Sequence, residues 1–358
     1  MNGPRPISAA DAINPALQHT KQQLLQPFRW GQWVRLALVG VLAGEMGSGF
    51  HLNSSHHHGS GHFLHGALLS HLAHHPAMSA GLIAFVAVLG VGLLALFIYI
   101  SSVMRFILFD SIVAKECHIR QGWVRRSSEG LRLFVWQILF MLASFAAVGM
   151  LIGIPVAGAW SAGWFGHPHE HVLGLVLSGV GLLLVLLALV AVLAVVHVMT
   201  KDFVVPQMAL ENLSALEGWR RLWSWLKAEK SGYAGYIGMK IVLAIGVGIV
   251  LGILSLMVLL MLLVPIGSVG IGAVLLGKVA GWTWSLQTIA LAVALGCMAL
   301  GVFVFAISMI SVPAMVFFPA YSMYFFAPRY APLAAVLWPQ AAAVAPASAP
   351  GEPPLSPA

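Results

Sequence analysis

The chain has 358 residues, of which 60% are apolar and only 8% are charged, and its formal net charge is +7. Soluble globular domains are roughly 45–50% apolar and about 25% charged, so this composition excludes an ordinary soluble fold. It predicts a multi-pass membrane protein. We expect its basic segments to face membrane lipids, because they lack the interleaved aromatic residues of a nucleic-acid surface.

Residues 1–32 precede the first apolar run. They contain no apolar stretch of the roughly 7–15 residues that a signal peptide needs, so we expect the N-terminus to stay in the cytoplasm. Leu17, Leu24 and Phe28 give the segment a weak amphipathic pattern. We therefore predict a cytoplasmic, amphipathic N-terminal segment.

Six apolar segments follow, and each is predicted to cross the membrane as a helix, at about 34–50, 79–104, 133–159, 172–198, 237–265 and 285–312. The first is short and contains Glu45, but Trp30 and Trp33 form an aromatic anchor at its start. At about 1.5 Å per residue, Glu45 lies roughly 15 Å beyond Arg35, so we expect it near the outer interface. The predicted fold is all-α, a polytopic transmembrane helix bundle. Its six spans form three consecutive hairpins, with amphipathic interfacial helices on the cytoplasmic side.

The lysine and arginine residues predict the orientation of these spans. With six spans, 17 of the 18 fall on one side of the membrane and only Lys278 falls on the other. Because basic residues accumulate in cytoplasmic loops, we expect both termini in the cytoplasm and the protein in a prokaryotic plasma membrane. Without the first span, Arg5, Lys21, Arg29 and Arg35 would lie on the wrong side.

One cytoplasmic segment, residues 214–229, has the pattern of a helix that lies on the membrane. Ser214 and Glu217 have the spacing of a capping box at its start. Tryptophan on one face and basic residues on the other are typical of an interfacial helix. With the anchor of the first span included, the predicted membrane-interface residues are Trp30, Trp33, Trp219, Trp223, Arg220 and Arg221.

The predicted membrane domain covers residues 33–330. The chain after it, residues 331–358, is rich in proline and alanine and has few large apolar residues. Such a segment buries too little apolar surface to fold alone, so we predict a disordered cytoplasmic tail.

The cytoplasmic segments also contain an internal repeat. "FILFDSIVAKECHIRQGWVRR" follows the second predicted span, and "FVVPQMALENLSALEGWRR" follows the fourth. Phe106 to Trp123 is 17 residues, Phe203 to Trp219 is 16, and "VFFPAYSMYFF" after the sixth span resembles the start of the unit. Repeats occur in transporters and equally in bundles that arose by duplication, so both interpretations stay open.

Several segments resemble a known family: "RLALVGVLAG", "DFVVPQMALENLSALEGWRR", "YAGYIGMKIVLA" and "FFPAYSMYFFAPRYAPL". They are similar to an uncharacterised family of prokaryotic six-helix membrane proteins. That family is similar in turn to the membrane domain attached to some glycerophosphodiester phosphodiesterases. The resemblance covers about residues 10–335. It implies fold and location, but neither an activity nor catalytic residues.

The sequence contains no motif for catalysis or cofactor binding. It has no phosphate-binding loop, no dinucleotide fingerprint, no Cys-x-x-Cys and no Gly-x-Ser-x-Gly. A phosphodiesterase would need a metal-binding catalytic domain, for which this chain has no room. We therefore predict a non-enzymatic protein without a cofactor. Carboxylates of the cytoplasmic segments are expected to balance surface charge, namely Asp110, Glu116, Glu129, Asp202, Glu211 and Glu217.

Twelve of the fifteen histidines lie in two segments that the six-span topology places outside. His71 and His75 would share one face of a helix, whereas His167, His169 and His171 would share one face of a strand. Neutral imidazole binds Zn, Cu and Ni, so these five histidines are candidate metal ligands. The alternative is an unstructured polar loop that binds such metals weakly.

The leading functional interpretation is a plasma-membrane protein without an assignable biochemical activity. Ion-coupled transporters usually keep charged residues inside the membrane, and the interiors of the second to sixth predicted spans contain none. Lipid substrates need no such charge, so a permease for a metal or an amphipathic substrate is an alternative. The resemblance adds a third interpretation, the membrane-embedded partner of a separate enzyme. Apart from membrane lipids, the sequence identifies no partner, and it does not decide whether the chain forms a homo-oligomer.

Overall fold

The computed structural model describes residues 8–45, 76–164, 169, 171–279 and 286–338. Within these ranges the chain is helical and contains no strand, which confirms the all-α prediction. A π-helical turn, Thr200–Val204, and a 3-10 turn, Ala327–Arg329, interrupt the α-helices. In chain order the α-helices are α1 (Ile13–Leu25), α2 (Trp30–Leu42), α3 (Pro76–Ala114), α4 (Ile119–Ser161), α5 (Val172–Met199), α6 (Val205–Glu211), α7 (Ala215–Ala228), α8 (Lys230–Val279), α9 (Leu286–Phe326) and α10 (Ala331–Leu337).

Five helical stretches among the described residues are long and apolar enough to cross a membrane. Each has far more than the about 20 residues that a span needs. They correspond to the second to sixth predicted spans, extended at one or both ends. Their bounds are Gly81–Ala114, Ile119–Ser161, Val172–Glu211, Lys230–Gly272 and Thr288–Arg329.

The first predicted span, 34–50, is not confirmed. Helix α2 has 13 residues and ends at Leu42. At about 1.5 Å per residue it is roughly 20 Å long, which is shorter than the about 30 Å hydrocarbon layer of a bilayer. Residues 46–50 lie outside the described residues.

The buried residues of the chain are concentrated at one end of the long helices, which we call the core end. They fall mainly in 102–112, 199–209 and 312–333. Away from this end the apolar side chains of the spans remain exposed, for example Val88 at 73%, Leu173 at 74% and Met261 at 78%. Contact of such surfaces with lipid costs no free energy, because acyl chains are as apolar as leucine.

The sequence repeat is also a structural repeat. In its first two copies a helix ends at a left-handed residue, Lys115 (φ 58°) or Asn212 (φ 55°), nine residues after Phe106 or Phe203. A second helix then folds back onto the first. In copy 1 (105–126), a Cβ at Gly122 would lie 3.0 Å from Ile107 Cγ1. In copy 2 (202–222), a Cβ at Gly218 would lie 2.8 Å from Val204 Cγ1, at the equivalent position.

Copy 3 (315–337) has no left-handed turn and passes through the 3-10 turn into α10. Copy 2 contacts both of the other copies. From copy 1, Arg126 Nη1 donates to the Ala209 carbonyl oxygen of copy 2 at 2.8 Å. From copy 3, the Tyr330 hydroxyl donates to Glu211 of copy 2 at 2.7 Å.

Helix α1 joins copy 3 to copy 1. The buried His19 ring contacts the Tyr324 hydroxyl with Nδ1 at 3.2 Å and the Ile112 carbonyl oxygen with Nε2 at 2.9 Å. Gln23 Nε2 also donates to the Ser111 carbonyl oxygen at 2.9 Å. Helix α1, near the start of the described chain, therefore packs into the same core as copy 1 and copy 3.

The predicted start of the disordered tail at residue 331 is wrong. Residues Ala331–Leu337 form α10, and Leu333 is fully buried against the core. Proline at the start of the helix fits there, because its missing N–H would have no intrahelical partner. Residues 339–358 lie outside the described residues.

We predict that acid destabilises the core through His19. A carbonyl only accepts, so Nε2 carries the proton and Nδ1 accepts from Tyr324, which is the neutral imidazole. Burial lowers the pKa of His19 below its ordinary value, and Lys115 lowers it further. The unfolded chain then binds the proton more readily, so stability falls as the pH drops below about 6.5.

The measurement is the unfolding temperature of the protein and of His19→Gln from pH 8 to pH 5. Glutamine keeps a donor for the Ile112 carbonyl but does not titrate. We expect the difference between the two proteins to shrink as the pH falls. Parallel curves would contradict the prediction.

Candidate functional site

Several charged side chains of the core end lie close together beside a cavity, and we call them the charge cluster. Four of them are buried, Glu45, Arg105, Asp202 and Lys240, and the side chain of the fifth, Lys201, is 10% exposed. Two of them occupy equivalent places in the repeat, since Arg105 precedes Phe106 and Asp202 precedes Phe203. Asp202 is only 2% exposed and Glu45 only 3%. Charged side chains are almost never this buried in a protein unless they are paired or hydrogen-bonded.

Four members of the cluster form two ion pairs. Lys240 Nζ donates to Asp202 Oδ2, which also accepts from the Tyr236 hydroxyl at 2.8 Å. Lys201 Nζ donates to Glu45 Oε2. The π-helical turn after α5, helix α8 and the residues after α2 are thus held together by buried, charge-assisted hydrogen bonds.

The fifth member, Arg105, forms no ion pair with the described residues. Its Nη2 donates to the Ala43 carbonyl oxygen at 3.2 Å. Its Nε is buried and has no acceptor among the described residues. The cluster therefore combines three cations with two carboxylates and has one positive charge in excess.

A cavity of about 30 Å³ lies beside the cluster, where the three copies of the repeat meet. By this measure a water molecule needs about 10–15 Å³, so the cavity has room for about two or three. Three of its lining residues, Phe109, Pro206 and Pro319, occupy the same position in the three copies. The other lining residues are Glu45, Arg105, Leu108, Lys201, Asp202, Val205, Ser322 and Met323.

The predictions for three carboxylates are wrong. Asp202 and Glu129 do not balance surface charge, because they are buried against Lys240 and Arg126. Glu45 does not lie across the membrane from the basic segments, because it contacts Lys201 at the core end. The repeat carries a sequence signal for this cluster: Arg105 and Asp202 are charged residues at equivalent positions, each directly before a buried phenylalanine.

The predicted membrane-interface residues separate into two groups. Trp33 and Trp219 are partly buried, and their ring N–H groups donate at 3.0 Å to the Met309 carbonyl and the Thr200 hydroxyl. Trp30 and Trp223 are exposed, at 59% and 56%. The other two are also exposed, Arg220 and Arg221, the second of which pairs with Glu211. The predicted capping box of Ser214 and Glu217 is confirmed.

We predict that Trp223, rather than Trp219, anchors α7 to lipid. Trp223→Glu is expected to reduce photo-cross-linking of residues 214–229 to lipid in native membranes, because it replaces an exposed aromatic ring with a charge that anionic lipid repels. Trp219→Phe is the control. It loses the bond to Thr200, so it should lower the unfolding temperature and leave the lipid labelling unchanged. Equal labelling of Trp223→Glu and the unmodified chain would show that the core alone holds α7.

The histidine prediction remains a prediction. His71, His75 and His167 lie outside the described residues, whereas His169 and His171 lie within them. The His171 ring stacks on Trp164, with ring centroids 5.8 Å apart. Among the described residues, no group of three histidine, cysteine or carboxylate side chains could hold a metal ion.

The match to known proteins covers nearly all of the described helices. Residues 7–336 match the model of a family described as "Family of unknown function (DUF7544)". The chain belongs to this family. The match runs from before α1 to the last turn of α10, so it includes the core, the three copies and the charge cluster. Neither a curated protein nor a solved structure matches the chain.

Proposed function

We propose that the protein is a non-enzymatic, multi-pass protein of the prokaryotic plasma membrane that binds and moves an amphipathic anion, as a permease does. One observation carries the proposal. A buried charge cluster with an excess positive charge lies where helices with exposed apolar faces converge. Such a site suits a substrate with one anionic and one apolar part.

The position of the cluster along the spans supports this substrate class. Arg105 follows the exposed stretch of α3, 81–94, within about three turns, and Lys240 directly precedes the exposed stretch of α8. The cluster therefore lies near one end of the apolar stretches. An anionic head group could reach it while the acyl chains stay between the spans. The excess positive charge disfavours a metal cation as the substrate at this site.

The orientation belongs to the same proposal. Helix α1 contacts the ends of α3 and α9, so the first described helix and the last long one meet at the core end. Most of the basic residues also lie in the segments at this end. By the positive-inside rule, we place the core end in the cytoplasm.

Reporter fusions test this orientation. Fusions after Lys115, Lys227 and Arg329 are expected to give a cytoplasmic signal, and a fusion after Gly272 an external one. A fusion after Ser60 decides whether the chain crosses the membrane before α3, as the six-span prediction requires. An external signal after Lys227 would overturn the orientation.

Lipid exchange in vesicles tests the proposed activity. The full chain is reconstituted with phosphatidylethanolamine, phosphatidylglycerol and a trace of fluorescent phosphatidylglycerol. A membrane-impermeant reductant then quenches the outer leaflet. We expect the protein to expose the inner-leaflet label to quenching faster than empty vesicles do. Fluorescent phosphatidylcholine, which has no net charge, should exchange more slowly.

Two leucine substitutions connect the activity to the cavity. Ser322 lines the cavity, so Ser322→Leu should fill it and slow the exchange. Ser224 is exposed on α7, so Ser224→Leu should leave the exchange unchanged. If folded protein exchanges no lipid faster than empty vesicles, the permease proposal fails. The resemblance to phosphodiesterase membrane domains would then favour the third interpretation, a membrane-embedded partner of a separate enzyme.

A further inference from the structure

We infer that the cavity beside Arg105 is an anion site, and that Arg105 is the residue that contacts the anion. The ligand chemistry is a compact, singly charged hydrogen-bond acceptor. It could be a free inorganic anion or the phosphate group of a lipid. The inference deepens the proposed function. It rests on that function only where the anion is a lipid phosphate, and a free inorganic anion does not depend on it.

The first argument is charge balance. A buried cation without a partner is costly, so its charge is normally compensated. Every described carboxylate outside the cluster already has a partner: Asp11 with Ser8, Asp110 and Glu129 with Arg126, Glu116 with Arg29, Glu211 with Arg221, Glu217 with Ser214, and Glu229 with Arg329. Within the cluster, Glu45 and Asp202 are bound to lysines. None of the described carboxylates therefore pairs with Arg105.

The second argument is hydrogen bonding. Arg105 is 8% exposed, and a buried N–H without an acceptor costs about 1–3 kcal/mol, more for a charged group. Its Nε is such a group within the described part of the chain. Guanidinium groups bind anions through donors in a fixed planar arrangement. A bound anion would supply both the missing acceptor and the missing charge.

The third argument is the size and composition of the cavity. Arg105 lines it, and its volume of about 30 Å³ suits an anion not much larger than water. A lipid could place a single phosphate oxygen there and keep the rest of its head group outside. The two lining carboxylates do not preclude an anion, because Lys201 and Lys240 neutralise them. Apart from the charged residues and Ser322, the lining residues are apolar. Such surroundings have a low dielectric constant, which strengthens the attraction between Arg105 and an anion.

Thermal unfolding of the full chain in an uncharged detergent tests the site. One arm titrates sodium chloride and a second sodium phosphate, each against sodium gluconate at equal ionic strength, so that screening is constant. A third arm compares dihexanoyl-phosphatidylglycerol with dihexanoyl-phosphatidylcholine. We expect a saturable rise in unfolding temperature, because a ligand that binds only the folded state stabilises it.

Three variants locate the effect. Arg105→Gln should weaken the apparent affinity for the stabilising anion by about tenfold or more, as expected for loss of a charged hydrogen-bond donor. Val205→Leu keeps the charge and fills the cavity, so it should weaken binding even if Arg105→Gln does not fold. Arg126→Gln is the matched control, because Arg126 is equally buried but already paired with Asp110 and Glu129. It should melt earlier yet respond fully to the anion.

The outcomes separate the sources and the proposals. Stabilisation by chloride or phosphate identifies a free anion, and stabilisation by phosphatidylglycerol alone identifies a lipid phosphate. The anion site would be overturned if chloride, phosphate and the anionic lipid changed the unfolding temperature no more than their controls do. So would a full response in both Arg105→Gln and Val205→Leu. Anion-dependent stabilisation without lipid exchange in vesicles would refute the permease and leave the anion site standing.

Discussion

Asp202→Ala is expected to lower the free energy of unfolding by about 3–5 kcal/mol, which is the effect of removing one partner of a buried ion pair. The carboxylate is 2% exposed and accepts from both Lys240 and Tyr236. Without it, Lys240 would stay buried as an unpaired cation, and the Tyr236 hydroxyl would lose its acceptor. Unfolding in detergent, followed by intrinsic fluorescence, measures the loss.

A second variant shows whether the pair or the buried charge causes the loss. Asp202→Leu combined with Lys240→Met replaces the pair with apolar groups, which is often neutral or even stabilising. We expect this double variant to be more stable than Asp202→Ala. Glu116→Ala is the control, because its ion pair with Arg29 is exposed and should contribute only about 0–1 kcal/mol. Equal losses in all three variants would contradict the prediction.

Gly130→Ala is the substitution with the second-largest expected effect. Helix α4 approaches α3 so closely here that a Cβ would lie 3.0 Å from Val103 Cα and would overlap the Val103 side chain. Overpacking of this kind costs about 1–3 kcal/mol. Val103 is fully buried and cannot move away into solvent. We therefore expect a lower unfolding temperature and a shifted contact between α3 and α4.

Gly149→Ala, on the same helix, is the matched control. A Cβ at Gly149 meets no other side chain or backbone within 4 Å, so the same substitution adds a methyl group in open space. It should leave the unfolding temperature unchanged or raise it slightly, because alanine favours a helix more than glycine does. The prediction fails if Gly130→Ala is as stable as Gly149→Ala.

The comparison of these glycines shows which parts of the fold the sequence predicts. A long membrane span depends only on the composition of one continuous stretch. The five apolar runs of the sequence therefore suffice to predict α3, α4, α5, α8 and α9 as long apolar helices. Packing depends on what lies opposite. Glycines four residues apart, such as Gly149 and Gly153, generally let two membrane helices approach closely, yet here a Cβ at either would meet open space. Gly130 has no such spacing and makes the close contact.

The charge cluster shows the same limit. Asp202 and Lys240 are 38 residues apart, and Glu45 and Lys201 are 156 residues apart. No local pattern connects residues at such separations. Each charge borders an apolar stretch, where a charged residue normally lies at the membrane surface, so the sequence by itself predicts an exposed side chain. The repeat was the one sequence feature that related distant parts of the core, because it places Arg105 and Asp202 at equivalent positions.

The contact between α1 and the end of α9 has a consequence for biosynthesis. His19 and Tyr324 are 305 residues apart, so their contact forms only after nearly the whole chain has been translated. The spans can enter the bilayer one after another, but copies 1 and 2 lack their buried neighbours until copy 3 emerges. Contacts this distant in sequence form slowly and leave apolar surface uncovered meanwhile. A nascent chain arrested before residue 312 is therefore expected to be inserted in the membrane yet to remain sensitive to protease at the core end.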